Sequence, residues 1–371
     1  MIKLLLPLAL AVASPVTAQN CFDGDFGTRL GGEEFDVIFQ IQPIGFPFPI
    51  GGVNYNDIHV TTHGFATLSN NGVPAPPLVT TLFEPTLANF FGGPPKVCAL
   101  YADIVVPEGS VYIKSTPTQC TVTWENAECY FVDPQVLFTL QMTLYPSGVV
   151  RFTYGPGVTN NSAFVGTSAV FGICGITPGG GATPIPAVDL SAGGATTTAT
   201  TYEIWVVANT FDMANNSLLM TPTFPGYSYS LQGAPTSCAA KSNYGAGCDG
   251  LELGGHGLPT IGNSSFNLIV SGIPIVSPVA LLAFGNVVVD PGVSLSFLGM
   301  PGCEAYTNLG IGIFNSGMVS SQRSEFALAI PNNPAINGTV LSAQALSLSA
   351  TILPLGFASS NGTRLVIGLG H

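Results

Sequence analysis

The sequence predicts an all-β protein made of two β-sandwich-like domains with Gly- and Pro-rich loops and disulfide staples. Three observations carry this. The 371 residues include 45 Gly and 30 Pro, yet 46% are hydrophobic and only 8% charged. Such a chain turns often but still has apolar residues for cores, and it lacks the Lys and Glu that favour helices. Residues 136–154 alternate with a period of two on both sides of a turn. The eight cysteines are an even number, which in an exported chain points to disulfides.

Export is expected from the first residues. Lys3 precedes the short apolar run Leu4 to Val12, and Val16-Thr17-Ala18 offers small residues for cleavage. Residues 1–18 therefore read as a secretory signal peptide, too short in its apolar part to span a bilayer. No later stretch has 18 uninterrupted apolar residues, so no transmembrane helix is expected.

Short alternating runs at 35–42, 57–68, 109–114 and 121–125 read as strands. In the 136–154 hairpin, Val136, Phe138, Leu140, Met142 and Leu144 share one face, Tyr145-Pro-Ser-Gly148 makes the turn, and Val150, Phe152 and Tyr154 resume the apolar face. Gly-, Ala- and Thr-rich loops are expected from 155 to 200. The run 201–207, holding Trp205, reads as the late strand that closes a first domain over residues 19–235. Residues 236–243 read as a linker. Residues 244–371 read as a second module, with strands near 265–271, 278–290 and 340–349.

The charge pattern excludes one class of partner. The net charge is −12, and the basic residues beyond the leader, Arg29, Lys96, Lys114, Arg151, Lys241, Arg323 and Arg364, are scattered. Nucleic-acid binding needs clustered Lys and Arg, so none is expected. An acidic surface serves solubility or loose attraction of cations.

Familiar chemistry is poorly supported. There is no C-x-x-C, no H-E-x-x-H, no Walker A and no G-x-S-x-G; Gly166-Thr-Ser-Ala-Val170 lacks the last glycine. His59 and His63 on one strand would stand roughly 13 Å apart, too far for one ion. His63 before Gly64 reads as a turn residue and His256 between two glycines as a loop residue. Asp103 and Glu125 form a carboxylate pair only if the fold happens to bring them together. Oxygen-rich loops at Asp23-Gly-Asp25, Asn54-Tyr-Asn-Asp57 and Asp212 with Asn215 and Asn216 leave a structural calcium ion open, against plain turn formation. No catalytic or cofactor-binding residue is assigned. The disulfides expected are Cys120–Cys129, which bracket one strand and turn, and Cys248–Cys303, both inside the second half.

Two resemblances organise these elements. Phe46-Pro-Phe-Pro-Ile50 leading to Thr62-His-Gly-Phe65, then Ala99-Leu-Tyr-Ala-Asp103, Thr121-Val-Thr-Trp-Glu-Asn126 and Gln141-Met-Thr-Leu-Tyr-Pro-Ser-Gly148, resembles the nidogen-like extracellular β-domain. Tyr244-Gly-Ala-Gly-Cys248, Pro259-Thr-Ile-Gly-Asn263, Gly302-Cys303, Gly338-Thr-Val-Leu-Ser-Ala-Gln344 and Ser360-Asn-Gly362 resemble a secreted C-terminal β-module of planctomycete-type bacteria. Together they imply a structural or adhesive protein, without catalytic activity, at the cell surface or in the extracellular matrix. Its partners would be an extracellular protein or a polysaccharide surface. A carbohydrate-binding protein is the nearest alternative, which exposed Trp124 or Trp205 would favour. An extracellular hydrolase of unfamiliar type is the third, which a deep pocket around Asp103, Glu125 or His63 would favour.

Overall fold

The computed structural model describes residues 21–31, 36–70, 83–106, 110–130, 136–162, 169–233, 238–275, 277, 279–318, 322–352 and 355–370. The expected signal peptide, residues 1–18, lies outside them. The regular structure of the described chain is nearly all strand, with one five-residue α-helix, Leu87–Phe91. No described helix is long and apolar enough to cross a membrane.

Two sheets build the first half. A nine-stranded sheet runs Thr28–Gly31, Ser110–Ser115, Cys120–Cys129, Phe138–Leu144, Val150–Tyr154, Asn216–Thr223, Gly226–Gly233 and Gly194–Ala195, with Ile104–Val105 beside Cys120–Cys129. A six-stranded sheet runs Thr201–Trp205, Gly172–Thr177, Lys96–Tyr101, Phe65–Ser69, Val53–Val60 and Gln42–Ile50. Apolar rows from both meet in one core that holds Phe48, Ile58, Leu68, Trp124, Leu140, Phe152 and Ile176. The outer face of the six-stranded sheet carries a second cluster, where Phe90 and Phe91 of the helix cover Phe65, Tyr101 and Tyr202.

The hairpin forms over Phe138–Leu144 and Val150–Tyr154 as its alternation requires, but Val136, expected on the apolar face, lies before the strand and is exposed. Phe138, Leu140, Met142 and Leu144 point into the core, and Gly148 takes φ +83 in the turn. The opposite, polar row is buried as well. Thr121 meets Thr143 at 3.2 Å, Gln141 donates to Thr123 at 2.9 Å, and Ser217 donates to Thr153 at 3.0 Å. The segment around Asp23 lies across this row, with its backbone N–H donating to Gln141 and its carbonyl accepting back. A polar row is tolerated under cover because its groups satisfy one another.

The strand holding Trp205 does not close the first half. It is an edge of the six-stranded sheet, and the hairpin Asn216–Thr223/Gly226–Gly233 that follows joins the other sheet.

Beyond Ala240 a separate core forms. A five-stranded sheet (Ala240–Tyr244, Phe357–Val366, Val340–Leu348, Val279–Gly285, Gly312–Met318) packs on a three-stranded one (Glu252–His256, Asn267–Ser271, Ser324–Ala327). Leu253, Phe266, Leu268, Leu282, Ala343 and Leu365 fill the space between. The run expected as one strand over 278–290 breaks after Gly285, and a second strand, Val288–Ser294, starts beyond Asn286-Val287.

Two disulfides are present. Cys248–Cys303 lies within the second core, and Cys21–Cys238 ties the start of the first half to the start of the second. The expected Cys120–Cys129 bond is not formed, and both are free, buried thiols. They stand at opposite ends of one ten-residue strand. At about 3.3 Å per residue that separates them by roughly 30 Å, far beyond the 4.4–6.8 Å between Cα atoms that a disulfide spans. The turn expected between them does not exist.

Candidate functional site

The most connected polar site lies where the two halves meet. It begins with an irregularity in the strand Cys120–Cys129. Trp124 pairs with Leu140 and Ala127 with Phe138, so the strand has one residue too many, and Asn126 takes φ +52. This is a β-bulge. It lets Trp124 and Ala127 both face the core, which plain alternation forbids, while Glu125, the alternate of Trp124, is aimed at the second half.

Glu125 is 4% exposed. Its Oε1 accepts from Lys241 Nζ at 2.8 Å, and its Oε2 lies 3.8 Å from His256 Nδ1. Lys241 comes from the strand Ala240–Tyr244 and also donates to the carbonyl of Gly255. Burial pushes the Glu125 carboxyl up, but the Lys241 charge and the hydrogen bond from Lys241 hold it below the usual value. His256 ends the strand Glu252–His256. Its ring lies 4.3 Å from that of Tyr112 and meets Phe26 edge-on at 5.7 Å.

Other bonds extend this seam. Asn263 Nδ2 and the Leu258 N–H donate to the Gly24 carbonyl at 2.9 and 3.1 Å, and Ser265 donates to Asp25 at 2.9 Å. Gly24 has to be glycine here, because a Cβ would stand 2.3 Å from Thr260 Oγ1. Asp23 and Asp25 are both ion-paired to Lys114.

Beside the ion pair opens a cleft of about 810 Å³, with Arg29, Asn126, Glu252, His256, Arg323 and Glu325 in its walls. Arg323 and Glu325 pair with each other at 3.0 Å. Small-molecule pockets are mostly apolar with few polar groups. This wall mixes polar and apolar groups almost evenly, in a crevice between the two halves.

The remaining candidates are placed apart from it. His63 is fully buried in the turn between two strands and pairs with Asp36 at 2.8 Å, while Asp103 Oδ1 stands 4.0 Å from its other nitrogen. The left-handed residue of that turn is Gly64, not His63. Burial lowers the His63 imidazole, with Asp36 pulling the other way. Burial, with Asp36 adding to it, pushes Asp103 up to about 7. His59 faces Ser69 at 3.2 Å instead of joining His63. Asp103 and Glu125 are held by different partners.

Among the oxygen-rich loops, Asp212 converges with Asp189 and Glu203. One carboxylate oxygen of each lies within 4.8 Å of the others. Ser191 donates to both Asp189 and Asp212, and the Leu190 N–H donates to Glu203. A hard cation prefers such oxygens, but in larger number. Both tryptophans are buried: Trp124 is 0% exposed, with its Nε1 donating to the Thr61 carbonyl at 2.7 Å, and Trp205 is 5% exposed. Neither offers a face to a sugar.

Sequence reasoning missed Lys241 and gave His256 no partner. Their meeting point lies between strands far apart in sequence, which no local pattern announces.

No curated protein and no solved structure matches the chain. One family model does, the one described as NIDO related, over residues 20–219. The match spans the two-sheet half from the segment before Cys21 into the hairpin that starts at Asn216. Covering more than half of the 371 residues, it makes this chain a member of the NIDO-related family.

Proposed function

We propose that this chain is a secreted structural or adhesive protein of the cell surface or extracellular matrix, acting through shape and exposed loops and turning over no substrate. The NIDO-related half supplies the scaffold, and the second half, read as the planctomycete-type module, is joined to it by the Cys21–Cys238 bond and the Glu125–Lys241 pair. The observation that carries this reading is the use made of Glu125. This buried carboxylate of the candidate pair is engaged by Lys241 of the other half, so its charge joins two domains. The carbohydrate-binding alternative loses its aromatic platform with both tryptophans buried.

Retention of beads coated with the full chain on the producing cells tests the proposal. Saturable retention that simple sugars do not displace is expected. Retention no better than that of bare beads would sink the adhesive reading, and complete release by one sugar would favour the lectin.

A further inference from the structure

Exposed sheet edges invite pairing with other chains, and proteins blunt them with charge, proline or shortness. Nearly every edge among the described residues follows this rule. Gln42–Ile50 carries Pro43, Pro47 and Pro49; Thr28–Gly31 carries Arg29; Thr201–Trp205 carries Glu203; Ala240–Tyr244 carries Lys241. Glu252–His256 and Ser324–Ala327 carry Glu252 and Glu325, the paired strands Val288–Ser294 and Glu304–Thr307 carry Asp290 and Glu304, and Gly194–Ala195 and Ile104–Val105 are two residues long.

Gly312–Met318 is different. It is the outer strand of the five-stranded sheet, seven residues long, with neither a charge nor a proline. Ile313 pairs with Ala283 on one face; Phe314 pairs with Leu282 on the core face and meets the Phe284 ring. Ile313 is 52% and Phe314 50% exposed. At Ile313 and Phe314 both faces of this strand are thus apolar and half uncovered, and the Asn315 and Ser316 that follow carry no charge. Ile311, Leu309 and Val287 extend the strip, each about half exposed.

We propose that Gly312–Met318 pairs antiparallel with the same strand of a second copy about a twofold axis, making one continuous sheet across both copies. Charge decides for a copy. Each chain carries −12 and repels its like over most of its surface. From Gly257 to Gln322 the only charged residues are Asp290 and Glu304, so this strip is where two copies can approach. Antiparallel self-pairing is isologous, matches Ile313 and Phe314 to their own counterparts and closes at two. Seven backbone positions and a few side chains make a small interface, so the pairing is weak and concentration-dependent.

Sedimentation velocity of the full chain from low to high micromolar concentration tests this. A reversible monomer–dimer equilibrium is expected. Ile313→Lys, which places a gatekeeping charge on the strand in both copies, should raise the dissociation constant at least about tenfold with the melting temperature unchanged. Ile311→Lys, outside the strand, should act in the same direction and serves if Ile313→Lys fails to fold. A chain monomeric at every concentration, a dimer that neither substitution weakens, or open-ended polymers would each overturn the proposal.

Discussion

Glu125 and Lys241 meet at 2.8 Å across a sequence gap of 116 residues, one from each core, and both are largely withdrawn from water. The Cys21–Cys238 bond and the hydrogen bonds to Gly24 also join the two halves. Breaking a buried pair from one side leaves an uncompensated charge, which costs about 3–5 kcal/mol. Lys241→Ala is therefore expected to destabilise by that amount, while Glu125→Leu with Lys241→Met should recover most of the loss. Urea unfolding of the singles and the double checks this, and purely additive effects would show that the pair is not coupled.

Trp124 tests the core in the same way. Its ring is fully buried and its N–H is spent on the Thr61 carbonyl. Trp124→Ala should cost about 3–5 kcal/mol by cavity formation. Trp124→Phe should cost less in packing but leave that carbonyl short of a partner, about 1–3 kcal/mol.

The thiols separate the disulfide pattern found here from that expected of the sequence. Cys98, Cys120, Cys129 and Cys174 are free and buried, and burial pushes Cys120 up to about 11 and Cys129 up to about 12. The native protein should resist alkylation. Unfolding without reductant should expose four reactive thiols, and mass spectrometry should show Cys120 and Cys129 among them. A Cys120–Cys129 peptide found cross-linked would contradict the structure.

Two carboxyls make stability depend on pH. Burial, with a neighbouring acid adding to it, pushes Asp103 and Glu203 each up to about 7. In both cases the folded chain keeps a proton that the unfolded chain has released. Their contribution is therefore lost as pH rises from the ordinary carboxylate range through about 7. The melting temperature should drop on the order of 5 °C between about pH 5 and pH 7.5. Asp103→Asn and Glu203→Gln should each flatten that slope in a calorimetric pH series.

The elements legible in the sequence were those whose pattern is local. The 136–154 hairpin announces itself by alternation and by Gly148 in the turn. Trp124 alternates with Val122 and is found inside. The hairpin of Asn216–Thr223 and Gly226–Gly233 was not legible, because Pro222 and Pro225 break its pattern at the turn. Cys120 and Cys129 misled because nearness in sequence becomes distance once the residues between them extend. The seam was hidden for a deeper reason: Glu125, Lys241 and His256 lie on three strands of two domains, and only the tertiary fold brings them together.

The most direct test of the central claim is a turnover screen of the purified full chain against glycosides, esters and peptides. A structural or adhesive protein should show no turnover above a heat-unfolded control, whatever the state of Asp103 or Glu125. Turnover that Asp103→Asn or Glu125→Gln abolishes, with the melting curve kept, would contradict the account and put a hydrolase in its place.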